Sequence, residues 1–590
     1  MNAFSDLLVT FGDDGRPDVR RLGNPWRRAA TGPGGIWTSR GPSADDATAS
    51  NVSAGEWTLW ASGDVFAYRD RPAHALQRFA QDLTEEAADP ANLDMHAVVI
   101  GWDERRRQVH VWVDRMGTTH VYLGGRPGRR RLGTPFSAVA EHSAGDLDWV
   151  GITGFCGFGF YPADRTPLED VRILRPATHT VLDESGHLVT ERRYWNWSYD
   201  PVPRSDDDLV DGFREVWRKT LARQTAGHSP IIPVSGGLDS RTIVADLTGE
   251  DSVLGDVQPA LFTYGYSRNS VEIRIAKKVA RARQMEIESA VVEPYLFDRL
   301  DDITGAIEGF VSLTLPRQVG ASELIAPLGD RVVGGHWGDV WFDSSHVPPS
   351  HSGQSDDLTD VAFSQFAKRG REWLFDNICR PHLGGQNPDD LLRDVLSEEL
   401  ARIPDLGDTD MRLKALKTEQ WSFRWTLAGI RAYHLARPTL LPFYGNDIVD
   451  FFMGVPSDLV EGRLLQIRCI QRHHRDLSRV QWQASGLPLC SHRWDPFLAI
   501  CRRASSRAAR YLRSRAPVER NWEVQYAPST TLLSHARSLT TPESSPAQIV
   551  DDSVLQSCVR AFVRRPEPPV AHPLDVMMTL RTSVSANGHA

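Results

Sequence analysis

One stretch constrains this chain more than any other: residues 229–247 read SPIIPVSGGLDSRTIVADL. The run PIIPV (230–234) is continuous and apolar, as in a strand covered on both faces, and SRTIVADL returns to helical spacing. A strand passing straight into a helix is half of a βαβ unit, the building block of parallel sheets. The alternation continues with ALFTYGY as strand, VEIRIAKKVARARQM as helix and DRVVGG as a short buried strand. In an open parallel sheet, ligands sit beyond the carboxyl ends of the strands, so a site is expected to begin at Ser235.

The residues of the turn fit that place. Gly236 and Gly237 let the backbone bend sharply and approach a ligand, and their N–H groups with the helix start can face phosphate oxygens. Ser235 and Ser240 add hydroxyl donors. Asp239 repels a polyphosphate directly and makes sense if it holds Mg²⁺ against one. The spacing is not that of a Walker loop. A plain turn with a helix cap also accounts for SGGLDS taken alone.

Composition narrows the class. The chain has 590 residues, enough for two to four domains, with 41% hydrophobic and 24% charged residues. A net charge of −9 argues against nucleic-acid binding. The six cysteines are scattered, without zinc spacing, as expected of reduced thiols. No signal peptide or apolar run of membrane-spanning length is visible, so the cytoplasm is the expected compartment and no membrane partner is expected.

Residues 1–200 read as mostly β: MHAVVIGWD and QVHVWVD are strands around a charged turn, THVYLGG is a third, RPGRRRLGTP an exposed loop, and 152–197 short strands with turns. A polar stretch at 198–210 marks a boundary, and DDLVDGFREVWRKTLARQTAG is a helix. The α/β region runs over 205–500 and includes the polar loop SSHVPPSHSGQSDD and a long helix, LKALKTEQWSFRWTLAGIRAYHL. Residues 501–590 form an extension. Its basic segment 502–520 is either a solvated helix face or a dock for an acidic peptide or phosphate, and 538–547 is a linker.

SGGLDS resembles the PP-loop of the ATP pyrophosphatase superfamily in its asparagine synthetase-like form. VVGGHWGDVWF (332–342) is similar to that family's second signature, with Gly334 and Gly335 on its Ser-Gly and Asp339 on its Asp. The resemblance implies that Ser235–Ser240, Gly334 and Gly335 bind ATP and pyrophosphate, that Pro233 and Tyr264 lie near adenine, and that Asp239 and Asp339 hold Mg²⁺. VDRMGTTHVY, VRILRPATHTVLD, RRYWNW and LLPFYGNDIVDFFMGVP extend the likeness over most of the chain. It implies a class II glutamine amidotransferase-like (Ntn-type) domain over 1–200 and a synthetase domain over 205–500.

The departures are informative. Glutaminase members carry Cys after Met1, and here Asn2 stands there, so no glutaminase activity is expected. Lasso peptide cyclases and β-lactam synthetases share that loss. His336 before W-G-D is similar to the lasso cyclase form, and an imidazole of ordinary pKa, about 6.5, could take a proton from an attacking ammonium. A loop histidine bonded to backbone is the alternative. Glu419 could orient that base, or be a solvated helix glutamate. Val340 and Gly445 replace two family acids. SRVQWQASGLPLC lacks the family's late Lys, for which Arg468, Arg472 and Arg479 are possible substitutes.

The expected reaction is ATP-dependent adenylylation of a peptide side-chain carboxylate, followed by attack of the peptide's N-terminal amine, releasing AMP and pyrophosphate. The resemblance implies a precursor peptide as substrate, with a leader-binding element and a leader peptidase as partners. A small-molecule amide ligase, an ammonia-dependent asparagine synthetase-like enzyme and a non-catalytic scaffold are the alternatives.

Overall fold

The computed structural model describes residues 6–12, 26–30, 34–39, 51–141, 143, 145–345, 347, 355–494, 520–527, 530–538 and 549–587. Asn2, Cys501, most of the basic segment 502–520, most of the linker 538–547 and much of the loop after Asp343 lie outside them.

The N-terminal part is two six-stranded antiparallel sheets packed face to face. Alternation builds the interface. Leu7, Val9 and Phe11 of strand Asp6–Phe11 point inward to meet Val98, Ile100 and Trp102 of strand Leu93–Asp103. The intervening residues Ala97 and Val99 face the opposite way and pack, with Leu59 and Trp112, on Phe79 and Ala80 of helix Ala75–Thr84. Leu8, on the outer face of the other sheet, shares a cluster with Phe136, Ile152 and Phe155. Each such fully buried side chain contributes about 1.5–3 kcal/mol.

Two expectations for this region are corrected. Residues 131–133, inside the stretch read as an exposed loop, form a buried strand paired with Asp6–Phe11. Arg131 is tolerated there because its guanidinium donates to the Ala138 carbonyl and to Glu141. Trp149–Phe158, read as strands and turns, is a helix: Asp148 caps it by accepting from Gly151 N, and left-handed Gly159 ends it. Its residues are apolar almost all round because it is buried on nearly every side, which hides any amphipathic period.

The second part is a five-stranded parallel sheet. Its order across the sheet is Glu288–Val291, Ala260–Gly265, Pro230–Pro233, Arg331–Val333, Thr439–Leu440. The chain works outward on one side of Pro230–Pro233 and then returns to its other side at Arg331–Val333. The strand order therefore reverses between these two neighbours, and a crevice opens at their carboxyl ends. The fold is mixed α/β, with antiparallel sheets followed by a parallel one.

The predicted long helix is one helical stretch from Thr409 to Leu435, but residues Thr418–Thr426 are wound as a π-helix. The described part of 501–590 is packed rather than appended. Tyr526, Leu555, Phe562, Leu574 and Met577 belong to the main core. Asp575 of helix Pro568–Asn587 accepts from Thr314 Oγ1 at 2.5 Å and Tyr526 Oη at 2.7 Å. No helix among the described residues is long and apolar enough to cross a membrane.

Candidate active site

The two sequence motifs meet at the strand reversal. Pro233 ends one central strand and leads into Ser235–Ser240; Val333 ends the next and leads into Gly334–Asp339. The loops touch through glycines. A Cβ on Gly335 would lie 3.2 Å from Ser240 N, and one on Gly338 would lie 2.7 Å from Asp239 Oδ1. Any side chain at 338 would displace the carboxylate.

The first loop is closed by its own serines: Ser240 Oγ accepts from Ser235 N at 3.0 Å, and Gly237 N donates to Ser235 Oγ at 3.2 Å. Helix Asp239–Leu247 starts without a side-chain cap. Its N-terminal N–H groups and positive dipole end are thus left without a side-chain acceptor at the strand ends.

Asp239 is held from one direction. Arg463 reaches its two oxygens at 3.2 and 3.3 Å, and Gln466 Nε2 donates to Oδ1 at 3.1 Å. Burial lifts Asp239 above the ordinary carboxylate range, Arg463 opposes that, and the nearby Asp339 carboxylate adds to it. Asp339 itself is exposed. Lys417 approaches from the helix beside the second loop. Burial lowers its pKa, and Asp410 and then Asp339 work against that.

For the divalent cation that the resemblance implies, the candidate ligands are Asp239 and Asp339, and both oxygens of Asp239 are already engaged by Arg463. Among the described residues no cluster of three or more His, Cys, Asp or Glu gathers as a metal site. Two mutually repelling carboxylates suit Mg²⁺, which keeps waters and takes phosphate oxygens for the rest of its shell. When bound, such an ion supplies charge neutralisation of a triphosphate.

His336 and Tyr264 come together on the far side of the loops. Arg317 lies over the Tyr264 ring at 5.8 Å, and the His336 ring meets Tyr433 edge-on at 6.3 Å. Burial raises the Tyr433 hydroxyl well above its ordinary pKa, with Tyr264 adding to the effect. The expected ordinary pKa of His336 is corrected: burial, with Arg317 beside it, pushes it down to about 4. His336 Nδ1 is buried without a hydrogen-bond partner among the described residues, so the backbone-bonded alternative does not describe this nitrogen.

Glu419 is not brought to this group. Its carboxylate accepts from Trp197 Nε1 at 2.6 Å and from Arg193 of the N-terminal part, where it is buried rather than solvated. The connection from its helix to the second loop is Thr418, whose Oγ1 accepts from Trp337 Nε1 at 3.1 Å.

The stretch that lacks the family's late Lys lies against the first loop. Gln483 N donates to the Gly236 carbonyl at 3.1 Å, and a Cβ on Gly236 would meet Gln483 Oε1 at 2.3 Å. Arg241 anchors this stretch by donating to the Val480 and Gln481 carbonyls. Arg468 pairs with Asp206, Arg472 pairs with Asp207 and Asp211, and Arg479 is exposed. The cation at the loops is Arg463, which sequence reasoning missed together with Gln466 and Lys417.

No protein-family model matches this chain, and no curated protein matches it. Among solved structures, the allosteric regulatory enzyme of purine biosynthesis is similar at 9% identity, over 50% of this chain and 76% of that one. Its TM-score of 0.19 is too low to carry an argument about fold or activity.

Proposed function

We propose that this chain is an ATP-dependent, AMP-forming amide ligase of the asparagine synthetase-like kind, acting as a lasso peptide macrocyclase. The observation that carries the reading is the apposition of Gly335 and Gly338 to Ser240 and Asp239, which joins the two motifs into one crevice. The triphosphate lies along Ser235–Ser240, facing the uncapped helix end, with Asp239 and Asp339 placed for the Mg²⁺ it carries. A peptide carboxylate attacks the α-phosphorus, the bond to the bridging oxygen of pyrophosphate breaks, and pyrophosphate leaves. Arg463 and Lys417 are the nearby cations able to meet its charge. The peptide's amine then displaces AMP from the acyl-adenylate, and the amine's proton passes to a base or to solvent. Tyr264, Arg317 and Tyr433 wall the side where adenine is expected.

The test is ATP–pyrophosphate exchange with Gly-initiated peptides carrying Asp or Glu a short ring's length from the amine. Mass spectrometry follows loss of one water from the peptide. Exchange that depends on peptide and disappears in Asp239→Ala and Asp339→Ala is expected. Exchange that survives both substitutions would overturn the site. Amide formation with free ammonium or a single amino acid, but not with peptides, would replace the macrocyclase reading by a smaller ligase.

A further inference from the structure

A second cavity, of about 360 Å³, opens between the segment after helix Ser355–Phe366 and the start of helix Pro568–Asn587. That volume lies within the usual range for small-molecule sites. Its described lining includes Gln365, Lys368, Arg369, Arg520, Pro568 and His572, and no described lining residue carries a carboxylate.

Lys368 is the unusual member. Its ammonium stands 5.0 Å from the Trp421 ring and 5.2 Å from that of Trp425, and its side chain makes no ion pair among the described residues. A Cβ on Gly159 would lie 3.5 Å from Lys368 Cε, so the stem is packed as well. Burial without a counter-ion pushes this amine down to about 8. His572 adds no charge: its Nε2 donates to the Cys156 carbonyl at 2.8 Å, and burial, with Lys368 nearby, pushes it down to about 4. Arg369 and Arg520 are exposed, and no salt bridge joins either guanidinium to an acid among the described residues; the Glu523 carboxylate accepts from the Arg520 backbone N–H at 3.0 Å.

We propose that this cavity binds a phosphate-bearing small molecule, its dianion held between Lys368, Arg369 and Arg520. The tryptophans fix the ammonium as a positioned point charge, and the two guanidiniums supply planar forks that match phosphate oxygens. Three cations converging on one cavity are better offset by phosphate, whose charge is gathered on one tetrahedral group, than by a dicarboxylate of equal charge whose two carboxylates lie at opposite ends. The site stands independently of the ligase reading.

The chain has only six lysines, so reductive ¹³C-methylation gives a short set of NMR signals, and Lys368→Arg identifies the one at 368. The protein is titrated with inorganic phosphate, and separately with succinate, at constant ionic strength. Phosphate is expected to move the Lys368 signal saturably and to raise that amine's pKa, and to bind roughly tenfold more tightly than succinate. Arg369→Gln with Arg520→Gln, both at exposed positions, is expected to weaken the effect roughly tenfold without unfolding the chain. Phosphate landing on the Ser235–Ser240 loop alone would leave the Lys368 signal in place and overturn the proposal. So would a response unchanged in the double variant, or succinate binding as tightly as phosphate.

Discussion

Arg463 grips Asp239 across 224 residues of sequence, with one guanidinium nitrogen on each carboxylate oxygen at 3.2 and 3.3 Å. The backbone prepares the contact: Gly462 and Arg463 both have positive φ, and Gly462 N is tied to Asp343 Oδ1 at 3.0 Å. The pair is largely buried, with 9% of the arginine and 20% of the aspartate side chain exposed. The guanidinium thus occupies carboxylate oxygens that a divalent cation would also claim. Competition follows. In Arg463→Met, added Mg²⁺ should raise Tm more than in the unaltered protein, because the cation no longer displaces a salt bridge. Equal Mg²⁺-dependent shifts by calorimetry would show that the two do not compete.

Gly338 is the point where the loops are closest. A methyl group there would sit 2.7 Å from Asp239 Oδ1, 2.8 Å from its Cγ and 2.9 Å from Phe443 Cε2. Gly338→Ala should therefore displace the carboxylate, lowering ATP–pyrophosphate exchange by about 100-fold or more, the scale of a roughly 1 Å misplacement. The overpacking itself should cost about 1–3 kcal/mol in urea unfolding. Full exchange in this variant would mean that Asp239 is not where the nucleotide is handled.

A base at His336 should leave a recognisable pH signature. Its pKa is pushed down to about 4, so the ring is neutral throughout the range above pH 5 and is a weaker base than an ordinary imidazole. The limb of kcat/KM assigned to this residue should then fall near pH 4, not near pH 6.5. A kcat/KM limb near 6.5 that vanishes in His336→Gln would show that the imidazole of the free enzyme titrates as an ordinary one, and would overturn the lowered value.

What could be read from the sequence divides along physical lines. SGGLDS and GGHWGD are contiguous, so the meeting of two glycine-rich loops at neighbouring strand ends is legible from short stretches, and Gly236, Gly335 and Gly338 stand where a Cβ would crowd a neighbour. In VDRMGTT, Asp114 closes its own turn, accepting from Met116 N, Thr118 N and Thr118 Oγ1. Arg463, Gln466 and Lys417 were not legible, because each sits in an arginine-rich or amphipathic helical stretch that resembles any solvated face. Only tertiary packing chooses Arg463 over Arg468 and Arg472, whose partners are surface aspartates. The helix at Trp149–Phe158 was missed because burial on nearly every side erases its period. The packed role of the C-terminal helices was missed because their buried partners, such as Thr314, are unremarkable in sequence.

Glu419 tests whether a conspicuous acid on that helix serves chemistry or architecture. Its carboxylate is the acceptor for Trp197 Nε1 and Arg193, both from the segment that leads out of the N-terminal sheets. Glu419→Ala leaves an arginine and an indole N–H unsatisfied in a buried place, a loss of about 3–5 kcal/mol in unfolding free energy. Glu419→Gln, which keeps one acceptor, should recover part of it. If both variants unfold like the parent but lose exchange, the residue belongs to the reaction instead.

Asp575 ties the C-terminal helix to the core, and its ionisation should be visible in stability. Burial raises this carboxyl to about 6, against the lowering effect of Thr314 and Tyr526. A carboxyl raised on folding favours the native state most fully below its unfolded pKa, and that contribution is lost as pH rises through the folded value. Over a shift of about two pH units, the loss between pH 4 and pH 7 amounts to about 2 kcal/mol. Asp575→Asn cannot ionise, so its unfolding free energy should lack this decline, even though it also loses one acceptor oxygen and is less stable at low pH. Urea titrations of both proteins at pH 4.5 and pH 7 measure the difference in slope. Identical pH dependence in the two would mean that Asp575 stays charged across the range, held so by its hydroxyl donors.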